Sequence, residues 1–377
     1  HFKGKINIMK RLITLFIPLV LAVFFMLNKK VDRMPGNGQI DGPYVIYKND
    51  KVYVNYIFDD NGVSKLKVDS VSQSQKESIK LTIATDKADI TFEVALKKDL
   101  QNEKTDFSGE NKMFVVSDIE GEFKAFRQLL QGNNIIDENF NWTFGNGHLV
   151  LTGDFVDRGT LVTEVLWLIY SLEEKAKTAG GYVHFILGNH EIMNLNNDLR
   201  YVHRKYMQSA SLMNESYLNL YSDKTELGRW LRTKNVTEKI GNILFMHAGI
   251  SDVVNYMELP VSKINKLVRP FYSDTTFNYK DPKVEILYSD LGPFWYRGYY
   301  GKQKPAMTQI DSTLSFYRVK HIATGHTVVA DTISVLFGGK LINTDVHHSK
   351  GHSEALLVEG KRFYRVGPTG ERFLILE

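Results

Sequence analysis

The sequence predicts a layered α/β protein, with a small antiparallel β module ahead of the main domain and an apolar segment at the N-terminus. From Met113 onward, apolar stretches typical of strands alternate with helical stretches such as EVLWLIYSLEEKAK, which is the signature of a layered α/β domain. Between Tyr44 and Leu100, short stretches rich in Val, Ile, Tyr and Thr follow one another instead. The 377 residues, 43% of them hydrophobic, suffice for two domains and a tail.

The N-terminal segment, residues 1–30, is predicted to be an export signal or a membrane anchor. A basic stretch precedes an apolar run from Leu12 to Leu27, and this order is typical of secretory signals. We therefore expect an exported, periplasmic protein that is attached to the membrane through residues 12–27. The run is slightly short for a spanning helix, and the alternative is a buried N-terminal helix.

Three further segments are assigned from composition and pattern. Residues 31–43 are rich in Pro and Gly and are predicted to be a linker. Residues 44–105 form the β module, in which DDNG predicts a hairpin turn; the module holds no catalytic cluster, so a spacer or packing role is favoured over substrate positioning or partner binding. Residues 112–377 form the α/β domain, with a mostly helical insertion at 196–240 that is a candidate lid or a packing element.

Charge and cysteine content exclude several functions. The net charge of +4 is small for this length, and no dense basic stripe is present, so no nucleic-acid partner is expected. Cysteine is absent, which excludes disulfides, thiolate zinc sites and a cysteine nucleophile.

Five apolar runs end at side chains that can bind metals. In open α/β sheets, functional groups gather outside the carboxyl ends of the strands, so these side chains are expected to meet. A single histidine after a strand is more often a hydrogen-bonded core residue, but five such ends are hard to attribute to packing. The runs and their ends are MFVVS at Asp118, HLVLTG at Asp154, VHFILG at Asn189 and His190, NILFM at His247, and HIATG at His326.

The motifs around these ends form an ordered set: GDFVDRG (153–159), LGNHE (187–191), MHAGI (246–250) and TGHT (324–327). The set resembles the calcineurin-like metallophosphoesterase superfamily, in its phosphoprotein-phosphatase branch. LGNHEIMNL and GPFWYRGYY look most like the bacterial, Shewanella-like members. The resemblance covers about residues 113–350 and implies a β-sandwich flanked by helices, with two metal ions at one edge.

The resemblance implies a ligand set for each metal ion. The first ion would be bound by Asp118, Glu120 and Asp154. Asp154 would also bind the second ion, together with Asn189, His247 and His326. Such oxygen and imidazole ligands suit Mn, Fe, Zn or Mg, and we expect two divalent ions with Mn favoured.

The resemblance also implies catalytic roles. His190 would be the general acid, oriented by Asp157, because imidazole titrates near neutral pH. Arg158 would bind the phosphate, and Arg297 in FWYRG is a second candidate clamp on a looser match, with a plain surface arginine as the alternative. The expected reaction is hydrolysis of phosphate monoesters by a metal-bridged hydroxide, on a phosphoprotein or a small phosphoester.

Glu120 departs from the family pattern, which usually has D-x-H-G where this chain has DIEG. A carboxylate can bind a hard divalent ion, but it makes the site less positive than imidazole would. The hypothesis is a preference for Mn, Fe or Mg over Zn and a more alkaline optimum than a Glu120→His variant would have. The competing interpretation is that Glu120 does not bind metal.

Other functions remain open at this point. One is a phosphodiesterase or dinucleoside polyphosphate hydrolase on the same metal centre. A non-enzymatic alternative is a metal-dependent binding or scaffold protein. His347 and His348 look like an extra metal site, but the family pattern assigns no ligand there.

Overall fold

The computed structural model describes residues 38–108 and 112–377, which all belong to one compact unit. The predicted signal or anchor, residues 1–30, therefore lies outside the described residues, as does the linker as far as residue 37. The rest of the predicted linker is not a linker, because Gln39–Lys48 is the first strand, β1. Its Gly and Pro residues instead accompany register shifts between Gln39, Asp41 and Tyr44, so they mark an irregular strand start.

The antiparallel β module predicted from the sequence is confirmed. Strands β1, β2 (Lys51–Asp60) and β3 (Val63–Ser72) form a three-stranded antiparallel sheet. Asn61 and Gly62 join β2 to β3 with positive φ angles of 55° and 86°, as a tight hairpin turn requires. A 3₁₀ helix (Gln73–Ser78) leads to a second antiparallel pair, β4 (Lys80–Ala84) and β5 (Thr91–Ala95).

Two six-stranded sheets form the body of the fold. The first has the order β17–β16–β15–β7–β8–β9 and is built from β7 (Lys112–Val116), β8 (His148–Leu151), β9 (Tyr182–Phe185), β15 (Ala355–Glu359), β16 (Arg362–Val366) and β17 (Arg372–Leu376). The second has the order β13–β14–β12–β11–β10–β6 and is built from β6 (Asp106–Phe107), β10 (Thr237–Ile240), β11 (Ile243–Met246), β12 (His321–Thr324), β13 (Ser334–Leu336) and β14 (Leu341–Asn343). Val115 and Val150 of the first sheet share a buried cluster with Phe245 and Ala323 of the second, so the sheets pack face to face.

Helices cover the sandwich, and the predicted mixed α/β fold is confirmed. They are α1 (Phe123–Gly132), α2 (Val162–Thr178), α3 (Asn189–Leu195), α4 (Arg204–Leu212), α5 (Tyr217–Leu220), α6 (Glu226–Leu231), α7 (Asp252–Tyr256), α8 (Val261–Val268), α9 (Pro282–Tyr288) and α10 (Met307–Tyr317), with short 3₁₀ helices at Arg269–Phe271, Phe337–Gly339 and His348–Lys350. In the described part of the chain, no helix combines the length and apolar character needed to cross a membrane.

The predicted helical insertion at 196–240 is only partly helical. It holds α4, α5 and α6, but its last residues, Thr237–Ile240, are strand β10. This strand pairs antiparallel with β11 across Gly241 and Asn242, and Gly241 has a φ of 55°. A turn this short leaves no room for a helix end, and the pairing with β11 decides the conformation.

Strand direction brings the functional side chains to one edge. Strands β7, β8 and β9 are parallel, with Val116 beside Leu151 and Leu151 beside Phe185. Strands β11, β12 and β14 of the other sheet are also parallel neighbours. The loops that follow β7, β8, β9, β11 and β12 carry the predicted ligands, because parallel strands end at the same edge of a sheet.

Candidate metal centre

The loops at this edge hold their side chains in an uncommon backbone conformation. The φ angle is positive at Asp118, Glu120, Asp154, Asp157, Arg158 and His326, between 49° and 72°. Non-glycine residues rarely adopt this region, and clusters of them are typical of functional sites. Backbone hydrogen bonds hold two of these loops together: Asp118 N donates to Gly153 O over 3.0 Å, and Glu120 N donates to Asp154 O over 2.9 Å.

Three ligand atoms converge on His247 Nε2, which is itself the fourth atom of the cluster. This Nε2 lies 2.9 Å from Asn189 Oδ1 and 3.1 Å from both Asp154 Oδ2 and His326 Nδ1. His247 Nδ1 lies 2.8 Å from Thr152 O, which can only accept, so Nδ1 carries a proton and Nε2 is the nitrogen that a metal would bind. A histidine oriented through its second nitrogen in this way is typical of a metal ligand. The four atoms therefore fit a divalent cation.

The charges within this cluster shift the pKa values of its own members. Burial alone would lower the pKa of His247, but the Asp154 carboxylate raises it to about 10. Burial alone would raise the pKa of Asp154, but His247 and His190 hold it below its usual range. Burial, with the charges of His247 and Arg297, lowers the pKa of His326 to about 2. His326 is thus a neutral imidazole with a free lone pair for a metal.

Asp118 and Glu120 lie beside this cluster. Asp118 accepts hydrogen bonds from the Ser117 hydroxyl and, over 3.1 Å, from the backbone N–H of His326. Burial, reinforced by the charge of Asp154 and opposed by His247, raises the pKa of Asp118 to about 6. The carboxylate of Glu120 pairs with the guanidinium of Arg158, and ligand atoms of Glu120, Asp154 and His190 all lie within 4.8 Å of one another.

His190 and Asp157 form a hydrogen-bonded pair. His190 Nδ1 lies 2.7 Å from Asp157 Oδ2, and Asn194 Nδ2 donates to Asp157 Oδ1 over 2.8 Å. The other ring nitrogen, Nε2, lies 3.8 Å from Asp154 Oδ2. Burial lowers the pKa of His190, but the carboxylates of Asp154 and Asp157 outweigh it and raise that pKa. A protonated ring at this position can act as a proton donor.

The two arginines line a cleft of about 410 Å³ over these ligands. Arg158 is 46% exposed and lies over the ring of Tyr201, 5.0 Å from its centroid. Arg297 is exposed and donates through Nη1 to His326 O over 2.7 Å and to Thr327 Oγ1 over 2.9 Å. The structure therefore brings every predicted site residue to one edge of the sandwich.

Two acidic residues at this edge had no role in the sequence prediction. Glu191 is buried and accepts from the backbone N–H groups of Asp154, Phe155, Val156 and Gly188, over 2.7–3.3 Å. Burial and the charge of Asp154 raise its pKa to about 7, although the four donors favour the ionised form. It is the last residue of LGNHE, so the motif contained the signal.

The second unassigned acid is Asp345, which follows β14, is buried and lines the cleft. Burial, then the charge of Asp118, raises its pKa. Asp345 also follows an apolar run, as the predicted ligands do. The same search for strand ends would therefore have identified it.

His347 and His348 line the same cleft, but each contacts its own neighbours. His348 Nε2 lies 3.1 Å from Ser117 O, and its Nδ1 lies 3.2 Å from Ser353 Oγ. His347 Nδ1 lies 3.0 Å from Asp331 Oδ1. Within residues 38–108 and 112–377, these ring nitrogens are thus engaged by groups outside the predicted ligand set, and these contacts give no support to an extra metal site.

Comparisons with known proteins agree on the family. The model for the calcineurin-like phosphoesterase family matches residues 112–330. The crystal structure described as a cold-active protein-tyrosine phosphatase of a psychrophilic Shewanella species is 37% identical and superposes with a TM-score of 0.80, covering 89% of this chain and 99% of that one. The sequence resemblance and the sandwich fold that it implied are thus confirmed.

Two curated eukaryotic proteins are more distant relatives. Shewanella-like protein phosphatase 1 of Plasmodium berghei is 26% identical over 237 residues, which cover 60% of this chain and 64% of that protein. Shewanella-like protein phosphatase 2 of Arabidopsis thaliana is 25% identical over 305 residues, covering 68% and 76%. The chain thus spans less than two thirds of the length of the Plasmodium relative.

Proposed function

The chain belongs to the calcineurin-like phosphoesterase family, and from this premise we propose that it is a metal-dependent phosphatase that hydrolyses phosphate monoesters. The observation that carries the proposal is the convergence of ligand atoms from Asp154, Asn189 and His326 on His247 Nε2, all at 2.9–3.1 Å. A single Nε2–H can satisfy only one of these three groups, so hydrogen bonding alone does not explain why all three lie around that atom.

Two divalent ions fit the residues present. Asp154, Asn189, His247 and His326 would hold one ion, and Asp118, Glu120 and Asp154 the other. Bound there, the ions would neutralise charge on the phosphoryl group and make water a better nucleophile near neutral pH. The mixed oxygen and imidazole donors suit Mn, Fe, Zn or Mg, and we favour Mn because the set formed by Asp118, Glu120 and Asp154 offers only oxygen atoms.

The chain's own side chains would bind the substrate and move a proton. The guanidinium groups of Arg158 and Arg297, on the rim of the cleft, are placed to bind phosphoryl oxygens. His190 Nε2 faces the same cleft, while its Nδ1 is held by Asp157. The ring would donate its Nε2 proton to the leaving oxygen of the ester, and Asp157 would keep the ring oriented and charged.

Phosphoproteins are the substrate class that the relatives favour. The Shewanella protein is described as a protein-tyrosine phosphatase, and its structure covers most of this chain. Phosphotyrosine is therefore the first side chain to test, with phosphoserine and small monoesters beside it. Hydrolysis of bis-p-nitrophenyl phosphate or a dinucleoside polyphosphate in preference to all three would instead favour the diesterase or polyphosphate alternative.

The decisive experiment is His190→Asn in the full chain, assayed with a phosphotyrosine peptide and Mn²⁺. Loss of the proton donor should lower kcat by roughly 10²–10⁴-fold, while the metal content stays that of the parent. His321→Asn is the matched control, because His321 is a half-buried histidine at the start of β12 that does not line the cleft; it contacts Gly339 O through Nδ1 and packs against the ring of Phe363. A parent protein that hydrolyses no phosphoester with any divalent metal would support the binding-protein alternative.

A further inference from the structure

Asp345 is a buried carboxylate that forms no pair with any described residue. It is 5% exposed and lies two residues after β14, at the edge where the other strand ends deliver their ligands. Three buried carboxylates line the cleft: Asp118, Asp154 and Asp345. Asp118 and Asp154 both accept hydrogen bonds, whereas Asp345 has no hydrogen bond or ion pair with any residue in the described ranges 38–108 and 112–377.

A largely buried carboxylate without a protein partner is costly, because little water reaches the charge and no donor or cation takes its place. The nearest charges make the cost larger. The charge of Asp118 acts most strongly on Asp345 and that of Asp154 also opposes it, whereas His247 and Arg297 attract it without touching it. A group of like charges at the mouth of a cleft becomes favourable when a cation binds between them.

Helical or turn structure does not supply the missing partner. Asp345 precedes the 3₁₀ helix His348–Lys350 and is not its N-cap, which is His347. Glu120, the other carboxylate in the predicted first metal site, has a partner in Arg158. Asp345 thus has no partner among the described residues, and its side chain lines the cleft.

We propose that Asp345 is a further ligand of the divalent ion that Asp118 and Asp154 hold. The proposal rests on the metal-dependent function proposed above and adds a residue that the family motifs in the sequence did not assign. It makes the first site rich in carboxylate oxygens, which favours hard cations such as Mn²⁺ and Mg²⁺ over Zn²⁺.

Calorimetric titration of the metal-depleted full chain with Mn²⁺ tests this assignment without an activity assay. The parent should bind two ions, and Asp345→Asn should weaken one of them by about tenfold or more and leave the other unchanged. Glu164→Gln is the matched control, because Glu164 is also buried and has an unpartnered carboxylate oxygen, but does not line the cleft. It should bind both ions as the parent does.

Thermal unfolding separates a ligand from a residue that only supports the fold. Removing the charge of Asp345 should leave the metal-free protein at least as stable as the parent, because repulsion from Asp118 is lost. The increase in Tm that Mn²⁺ causes should become smaller. A structural role predicts the reverse: a lower Tm without metal and an unchanged increase with it.

The outcomes also distinguish this proposal from the function on which it rests. Two parent-like Mn²⁺ affinities in Asp345→Asn would overturn the ligand assignment while the metal-dependent function stands. A parent chain that binds no Mn²⁺ would overturn both. Weakened binding in Glu164→Gln as well would show that loss of any buried charge has this effect, and would also overturn the assignment.

Discussion

At the scale of single residues, Glu120 is where this chain departs from its family pattern. Its carboxylate is placed to serve two groups, because it pairs with Arg158 and also lies with Asp154 and His190 in a set of converging ligand atoms. A carboxylate here reduces the positive charge that faces a phosphate, both at the metals and at Arg158. The residue therefore links the choice of metal to the strength of phosphate binding.

Replacing this carboxylate by the family imidazole tests that link. We expect Glu120→His to shift the pH optimum to lower values, to accept Zn²⁺ better relative to Mn²⁺, and to bind inorganic phosphate several-fold more tightly, because one negative charge is lost. The measurements are pH–rate profiles with each metal and the inhibition constant of phosphate.

Glu122→Gln is the control for this variant, because Glu122 lines the same cleft but forms no ion pair with Arg158. An identical pH profile and metal preference in parent and Glu120→His would show that Glu120 influences neither.

At the scale of elements, the strand ends explain what could be predicted from the sequence. Apolar runs that end in Asp, Asn or His predicted the ligands, because parallel strands bring their carboxyl ends to the same edge of a sheet, whichever loops follow. The ion-pair and hydrogen-bond partners of these side chains could not be predicted in this way. The pairing of Glu120 with Arg158 and the four N–H groups on Glu191 depend on positive φ angles that no local pattern reveals.

Glu191 at the first turn of α3 fastens this helix to the loop after β8. Because its carboxylate accepts four backbone N–H groups, Glu191→Gln would turn an amide N–H₂ toward donors and leave some of them unpaired. We expect a loss of about 2–3 kcal/mol in the free energy of unfolding, measured in urea. Glu285→Gln, at an exposed position of α9, should change the unfolding midpoint little; equal midpoints for both variants would mean that these hydrogen bonds add no stability.

At the scale of the whole molecule, the β module and the α/β domain share one core. Trp167 Nε1 donates to Pro43 O over 2.9 Å, and Tyr47 and Tyr170 both donate to the carboxylate of Glu226. Leu81 of β4 belongs to the same buried cluster as Trp167. The sequence predicted a boundary between the module and the domain at the polar stretch near residue 105. It did not predict the shared core, because a sequence pattern does not show which faces of two elements bury each other.

We therefore expect the described part of the chain to unfold in one transition, and tryptophan fluorescence can test this. All four tryptophans, Trp142, Trp167, Trp230 and Trp295, belong to the α/β domain, so their signal reports mainly on that domain, and Trp167 also contacts the module through Pro43. Leu81→Ala, at a fully buried position, should lower the stability seen by this signal by about 2–4 kcal/mol, because the cavity weakens the shared core. Val68→Ala, on an exposed position of β3, should leave it nearly unchanged; a Leu81→Ala curve that matches the parent would mean that the module unfolds on its own.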